Sequence, residues 1–151
     1  MFRGVVDLSL DAKGRMAMPV RYRERLEAHC AGQLVMTIDI RERCLAVYPL
    51  PEWEVIQQKL DALSSFNPNN ATVKRLLLGN ATDVEMDGNG RLLIPTKLRQ
   101  YAGLEKKVVM AGQAKKFELW DEASWDSYCE RMQATGLNQG EMLADLSALS
   151  L

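Results

Sequence analysis

The chain has 151 residues and a mass of 17.0 kDa, with 47% hydrophobic and 26% charged side chains, the balance of a folded globular protein of one domain or two small ones. That composition excludes long disorder, a collagen-like repeat and a disulfide mini-scaffold, and no apolar run approaches the ~20 residues a membrane-spanning helix needs. The net charge of −1 alone points to no polyanionic partner.

Taken in order, Val5, Val6, Leu8 and Leu10 mark a short strand, and Asp7 arrives too early for the apolar stretch of a signal peptide. A cytoplasmic protein is therefore expected. Ala12-Lys13-Gly14 reads as a tight turn, followed by a strand over Arg15–Met18. Pro19 ends that strand and suits the first turn of a helix over Val20–Ala31, which Gly32 stops. Two β-prone runs follow, Leu34–Ile40 and Cys44–Tyr48. Pro51–Leu63 then reads as a helix with Trp53, Ile56, Leu60 and Leu63 on one face. Residues 65–70 are rich in turn formers and read as a linker, and Thr72–Leu78 as a bridging helical segment.

The second half repeats the first. Asp11, Gly14, Arg15, Pro19 and Arg23 recur 76 residues later as Asp87, Gly90, Arg91, Pro95 and Arg99. Leu34-Val35-Met36 matches Val108-Val109-Met110, and Tyr48 and Trp53 match Trp120 and Trp125 at an offset of 72. So many matches in one order indicate duplication. The second copy is expected as a strand over Ala81–Met86, a Gly88-Asn89-Gly90 turn, a strand over Arg91–Ile94, a helix over Thr96–Ala102, strands over Val108–Ala111 and Phe117–Trp120, and a helix over Glu122–Met132. A weakly helical tail runs from Glu141 to Leu149. About fifty residues bury too little surface to be comfortable alone. The expected architecture is therefore α+β, with two β-rich units, 5–52 and 81–124, sharing a core around a pseudo-two-fold axis; 53–80 supplies a helix and linker, and 125–151 a helix and tail.

Little here suggests catalysis. Cys30, Cys44 and Cys129 are scattered without CxxC spacing, and the single histidine, His29, has no ligand-type neighbour. No nucleophile elbow or HExxH occurs. An Asp83-to-Gly88 stretch imitates the start of a calcium loop, but Ile94 stands where a bidentate Glu is required. No catalytic residue, metal or cofactor is expected. Tyr48, Trp53, Trp120 and Trp125 fit core anchors better than a base-stacking platform, and Lys106-Lys107 and Lys115-Lys116 read as solvated loop charge.

The charge distribution is more informative. Residues 11–25 and residues 87–107 each carry five basic and two acidic side chains. Asp11 with Arg15, and Asp87 with Arg91, fit a turn in which the Asp holds backbone amides and the Arg pairs back to it. The same arrangement fits a basic turn entering a DNA groove, where Arg forks to guanine or to phosphate. The residues alone leave both readings open.

Met1-Phe2-Arg3-Gly4, the Asp11-x-Lys-Gly-Arg15 turn with Pro19 and Arg23, Tyr48-Pro49-Leu50-Pro51-Glu52-Trp53, Arg75-Leu76-Leu77-Leu78-Gly79, Asp87-Gly88-x-Gly-Arg91-Leu-Leu-Ile-Pro95 and Lys116-Phe117-Glu118-Leu119-Trp120 together resemble the MraZ family, over essentially the whole chain. That family belongs to the SpoVT–AbrB group of swapped-hairpin transcription factors. The resemblance implies a pseudo-two-fold barrel of two swapped-hairpin units with flanking helices. It implies a sequence-specific, DNA-binding transcriptional regulator, generally a repressor of its own operon and of the division and cell-wall gene cluster. The expected partners are double-stranded promoter DNA, in directly repeated boxes, and further copies of the chain in a ring-shaped homo-oligomer, cytoplasmic and nucleoid-associated, with no membrane. Carried over by position, the DNA-facing residues are Asp11, Lys13 and Arg15 with Asp87 and Arg91. Arg15 is expected to lead with Arg91 as its partner, and Lys13, Arg3, Arg21 and Arg23 to supply charge toward the DNA backbone. Asn89 stands where the first copy has Lys13, so the two turns are expected to contact DNA unequally. The competing class is an oligomeric interaction scaffold with incidental or non-specific DNA binding.

Overall fold

A computed structural model describes residues 1–135 and Leu149; the expected tail helix from Glu141 lies, Leu149 apart, outside the described residues. The chain divides into two compact units, Met1–Asp121 and Glu122 onward. The first contains β1 (Val5–Ser9), β2 (Arg15–Ala17), α1 (Val20–Cys30), β3 (Gln33–Ile38), β4 (Leu45–Pro49), α2 (Leu50–Asp61), α3 (Pro68–Gly79), β5 (Thr82–Glu85), β6 (Arg91–Leu93), α4 (Thr96–Ala102), β7 (Lys107–Gly112) and β8 (Phe117–Asp121). The second contains α5 (Glu122–Thr135), on which Trp125 stacks on Tyr128 at 6.2 Å between ring centroids. None of the helices among the described residues is long and apolar enough to cross a membrane.

The strands form an antiparallel six-stranded sheet, in the order β1-β7-β8-β4-β3-β5, and a two-stranded ribbon, β2-β6. Exchanging the two copies reverses the sheet order into itself, so the pseudo-two-fold axis passes between β8 and β4. Each copy's first strand crosses to the other copy. β1 pairs with β7 from Val5↔Ala111 to Ser9↔Lys107, and β5 pairs with β3 from Gln33↔Glu85 to Met36↔Thr82. The ladder stays open, with β1 and β5 as its edges; no pairing among the described residues closes it as the expected barrel.

One core serves both copies. Met16, Met18, Leu26, Leu34, Met36 and Leu45 from the first pack with Leu92, Ile94, Leu98, Met110 and Leu119 from the second. A smaller cluster of Val35, Trp53 and Leu60 lies with Tyr48, Ile56, Val73 and Leu77, and the Thr37 hydroxyl donates to Leu77 O at 2.7 Å. β3 is thus covered on both faces, which is why Leu34, Val35 and Met36 are apolar in succession rather than alternating with polar residues. Trp53 and Trp120 are both buried, as core anchors should be, whereas Tyr48, tilted against Trp53, and Trp125 are only half-buried.

Several boundaries differ from expectation for local reasons. Pro19 and Pro95 end their strands as expected but sit one residue ahead of their helices, with ψ near 140°, rather than in the first turn, and Pro49 stands the same way before α2. α1 stops at Cys30 because Ala31 already adopts the left-handed conformation, with φ of 53°. β3 ends at Ile38 because Asp39 Oδ2 accepts from the amides of Arg41 and Glu42 in an Asx turn. Leu63, expected on the buried face of the second helix, lies beyond its end and is exposed. The linker reading of residues 65–70 is corrected in part: Asn67 caps α3, its Oδ1 accepting from the amides of Asn69 and Asn70, and Pro68 opens the helix.

Candidate nucleic-acid interface

The two Asp-to-Arg turns are built alike. In the first, Asp11 Oδ1 accepts from the amides of Lys13 and Arg15, both at 2.9 Å, and Asp11 Oδ2 accepts from Arg15 Nε at 2.7 Å. In the second, Asp87 Oδ1 accepts from Asn89 N at 2.8 Å and Arg91 N at 2.9 Å, and Oδ2 from Arg91 Nε at 3.0 Å. The Asp amide in turn donates to the Arg carbonyl, and the Gly14 and Gly90 amides to the Asp carbonyls. Gly14 and Gly90 take φ of +83° and +74°, a region that disfavours side chains, so the chain reverses there at little cost.

These bonds explain the electrostatics. The Arg15 amide is the largest influence holding the Asp11 carboxyl down from the ordinary 3.8 to about 2; the Arg15 side chain adds to it and partial desolvation opposes it. Asp87 is lowered in the same way, led by the Arg91 amide. Each ion pair is partly solvated, with 28% of the Arg15 and 36% of the Asp11 side chain exposed, so it contributes little to stability. Its effect is positional. It occupies Nε and leaves Nη1 and Nη2 without a partner among the described residues.

A depressed carboxylate stabilises the fold fully above its unfolded value and loses that contribution as pH falls through its folded value. Asp11 should therefore keep its turn intact from neutrality down to about pH 4 and release it only toward pH 2. A carboxylate-detected NMR titration checks this: an Asp11 midpoint at or above its ordinary value would contradict the turn geometry.

The ribbon brings both arginines to one surface. In the β2–β6 register Arg15 lies opposite Leu93, Met16 opposite Leu92 and Ala17 opposite Arg91. Met16 and Leu92 are fully buried. Side chains alternate along a strand, so Arg15, Ala17, Arg91 and Leu93 share the outward face. Arg15 and Arg91 are diagonal neighbours on it, roughly 7–8 Å apart at the backbone.

Each turn is also backed by an arginine from the opposite copy. Arg99, on α4, donates from Nε to Ile94 O at 3.0 Å, and its guanidinium covers Gly14 so closely that an added Cβ would lie 2.5 Å from Cζ. Arg23, on α1, donates from Nε to Met18 O at 2.8 Å and covers Gly90, where a Cβ would lie 2.5 Å from Nε. Met18 N donates to Gly90 O and Ile94 N to Gly14 O, completing the reciprocal clasp. Arg23 is thus engaged in holding the second turn. Sequence reasoning missed the part Arg99 plays; its only signal was its place as the repeat mate of Arg23.

Arg3 and Arg21 are placed elsewhere. Both lie by Tyr22, whose hydroxyl donates to Arg3 O at 2.8 Å, and the Arg21 guanidinium carbon lies 4.8 Å from the Tyr22 ring centroid. Arg3 precedes β1 and Asp11 follows it, so the length of that strand, roughly 15–17 Å, separates Arg3 from the first turn.

The model of the MraZ protein family, whose description also carries the term antitoxin-like, matches the chain over residues 1–76 and again over 77–146. Curated relatives match from end to end. The chain is 53% identical over 152 residues to a protein of Halorhodospira halophila, 54% over 152 residues to one of Escherichia coli O9:H4 and 52% over 151 residues to one of Pseudomonas aeruginosa, each covered in full and each named transcriptional regulator MraZ. The duplicated fold, the paired turns and this full-length similarity place the chain in the MraZ family.

Proposed function

We propose that the chain is a sequence-specific DNA-binding transcriptional regulator that represses its own operon and the division and cell-wall gene cluster. The observation that carries this reading is the outward face of the β2–β6 ribbon, where two aspartate-held arginines project side by side from a stiff scaffold. A two-stranded ribbon fits the major groove of DNA, and an Arg with both Nη groups available forks to guanine O6 and N7 or to phosphate oxygens. The regulators named among the relatives support the same assignment.

In this reading the strand exchange is the swapped hairpin of the SpoVT–AbrB group, and sheet and ribbon together make its pseudo-two-fold barrel. The segments 5–52 and 81–124 are then two halves of one recognition unit. Arg15 and Arg91 read the groove, Asp11 and Asp87 aim them, Lys13 meets phosphate, and Arg23 braces the second turn. Arg3 and Arg21 serve as an outlying basic contact for the DNA backbone. The regulator works in the cytoplasm, on the nucleoid, without cofactor or catalysis. It acts as a ring-shaped homo-oligomer that lays several copies along directly repeated boxes, so that avidity supplies affinity one ribbon lacks.

A fluorescence-anisotropy titration against the DNA upstream of its own gene, with a scrambled duplex as control and two salt concentrations, tests the assignment. Tight, salt-sensitive binding to the promoter alone is expected. Equal binding to both duplexes would replace it with a non-specific electrostatic binder. Assembled protein that binds neither would favour the scaffold.

A further inference from the structure

The internal repeat relates the two turns, yet their surroundings carry different charge. Leu10 N donates to Lys106 O at 2.7 Å, and Ser9 pairs with Lys107, so both lysines lie against the residues that lead into Asp11. At the second turn the same places are held by Gly32, whose carbonyl accepts from Met86 N at 2.9 Å, and by Gln33, which pairs with Glu85. The repeat also sets Lys13 against Asn89, Ser9 against Glu85 and Glu105 against Ala31. Over these positions, the Asp–Arg pairs and the bracing Arg99 and Arg23, the first corner sums to +3 and the second to zero. Asp7 and Asp83 are repeat mates and leave the difference unchanged.

We infer that only the first corner is a phosphate-binding site, in which Lys106 and Lys107, contributed by the second repeat, join Lys13 in holding the DNA backbone beside the Arg15 contact. This rests on the DNA-binding reading above and extends it to residues from the other half of the chain. Both lysines are exposed. An exposed ammonium beside phosphate displaces condensed counterions, whereas a corner of zero net charge with Glu85 at its rim gains nothing from the same exchange. The consequence is polarity. A pseudo-two-fold unit with equivalent turns would suit a palindrome, but one charged corner and one neutral corner orient each chain in a single direction, which suits boxes repeated head to tail.

The slope of log affinity against log salt reads phosphate contacts directly. With full-length assembled protein and the promoter and scrambled duplexes, K106Q/K107Q should reduce that slope by about 1.8 per bound chain and weaken both duplexes alike. A wild-type slope in K106Q/K107Q protein of normal assembled size overturns the inference. The two levels of failure are distinguishable. If the wild-type protein binds neither duplex, the DNA-binding reading falls. If it prefers its promoter while its slope ignores Lys106 and Lys107, only the corner assignment falls.

Discussion

Arg15→Ala is expected to abolish specific binding to promoter DNA while leaving fold and assembly intact. The structural cost is small because the ion pair lost is partly exposed, and the Asp11 oxygen that holds the turn accepts from backbone amides that survive the change. The binding cost is large because the alanine removes a fork already aimed by Asp11. One bidentate base contact carries about 1–3 kcal/mol of discrimination, or roughly 5- to 150-fold for each chain engaged, and several chains on one operator multiply the loss. Arg91→Ala should follow in the same direction with a smaller effect, since its turn lacks the charge that surrounds the first. Titration of Arg15→Ala protein against promoter and scrambled duplexes, with light scattering to confirm the assembled size, decides the matter. Wild-type promoter affinity in correctly assembled Arg15→Ala protein would sink the proposed role of the ribbon.

What was legible in advance follows the range of the forces involved. The turns, the strands flanking them and the proline-preceded helices depend on neighbours a few residues away, and the spacing of Asp11, Gly14, Arg15 and Pro19 showed them. The repeat was legible because duplication preserves order. Strand exchange was not legible from periodicity, since an alternating strand carries the same pattern whether it pairs within its own copy or across to β7. The brace of Arg99 over Gly14 depends on that exchange and was lost with it. Lys106 and Lys107 read as loop charge for the same reason, because only the β1–β7 register brings them beside the first turn. The start of α3 was misread because Asn67-Pro68 serves equally as a turn and as a helix opening, and what distinguishes them is the chain that follows.

Adjacent substitutions in β6 should give opposite results, and the contrast tests whether the ribbon stands on the core as its register requires. Leu92 is fully buried opposite Met16 and packs in the cluster shared by both copies. Leu92→Ala removes three heavy atoms from a fully buried site, at a cost of about 2–5 kcal/mol. Against a total stability of about 5–15 kcal/mol, that lowers Tm by on the order of 10 °C. Leu93, the next residue, is 54% exposed on the same face as Arg15, so Leu93→Ala should shift stability by less than about 0.5 kcal/mol. Scanning calorimetry of the two variants beside the wild type separates the cases. A slip of the ribbon by one residue would exchange the two results, because side chains alternate with a period of two, and it would also turn Arg15 and Arg91 inward. The thermal stabilities of two hydrophobic variants thus report, independently of any DNA measurement, whether both arginines face the solvent where a duplex can meet them.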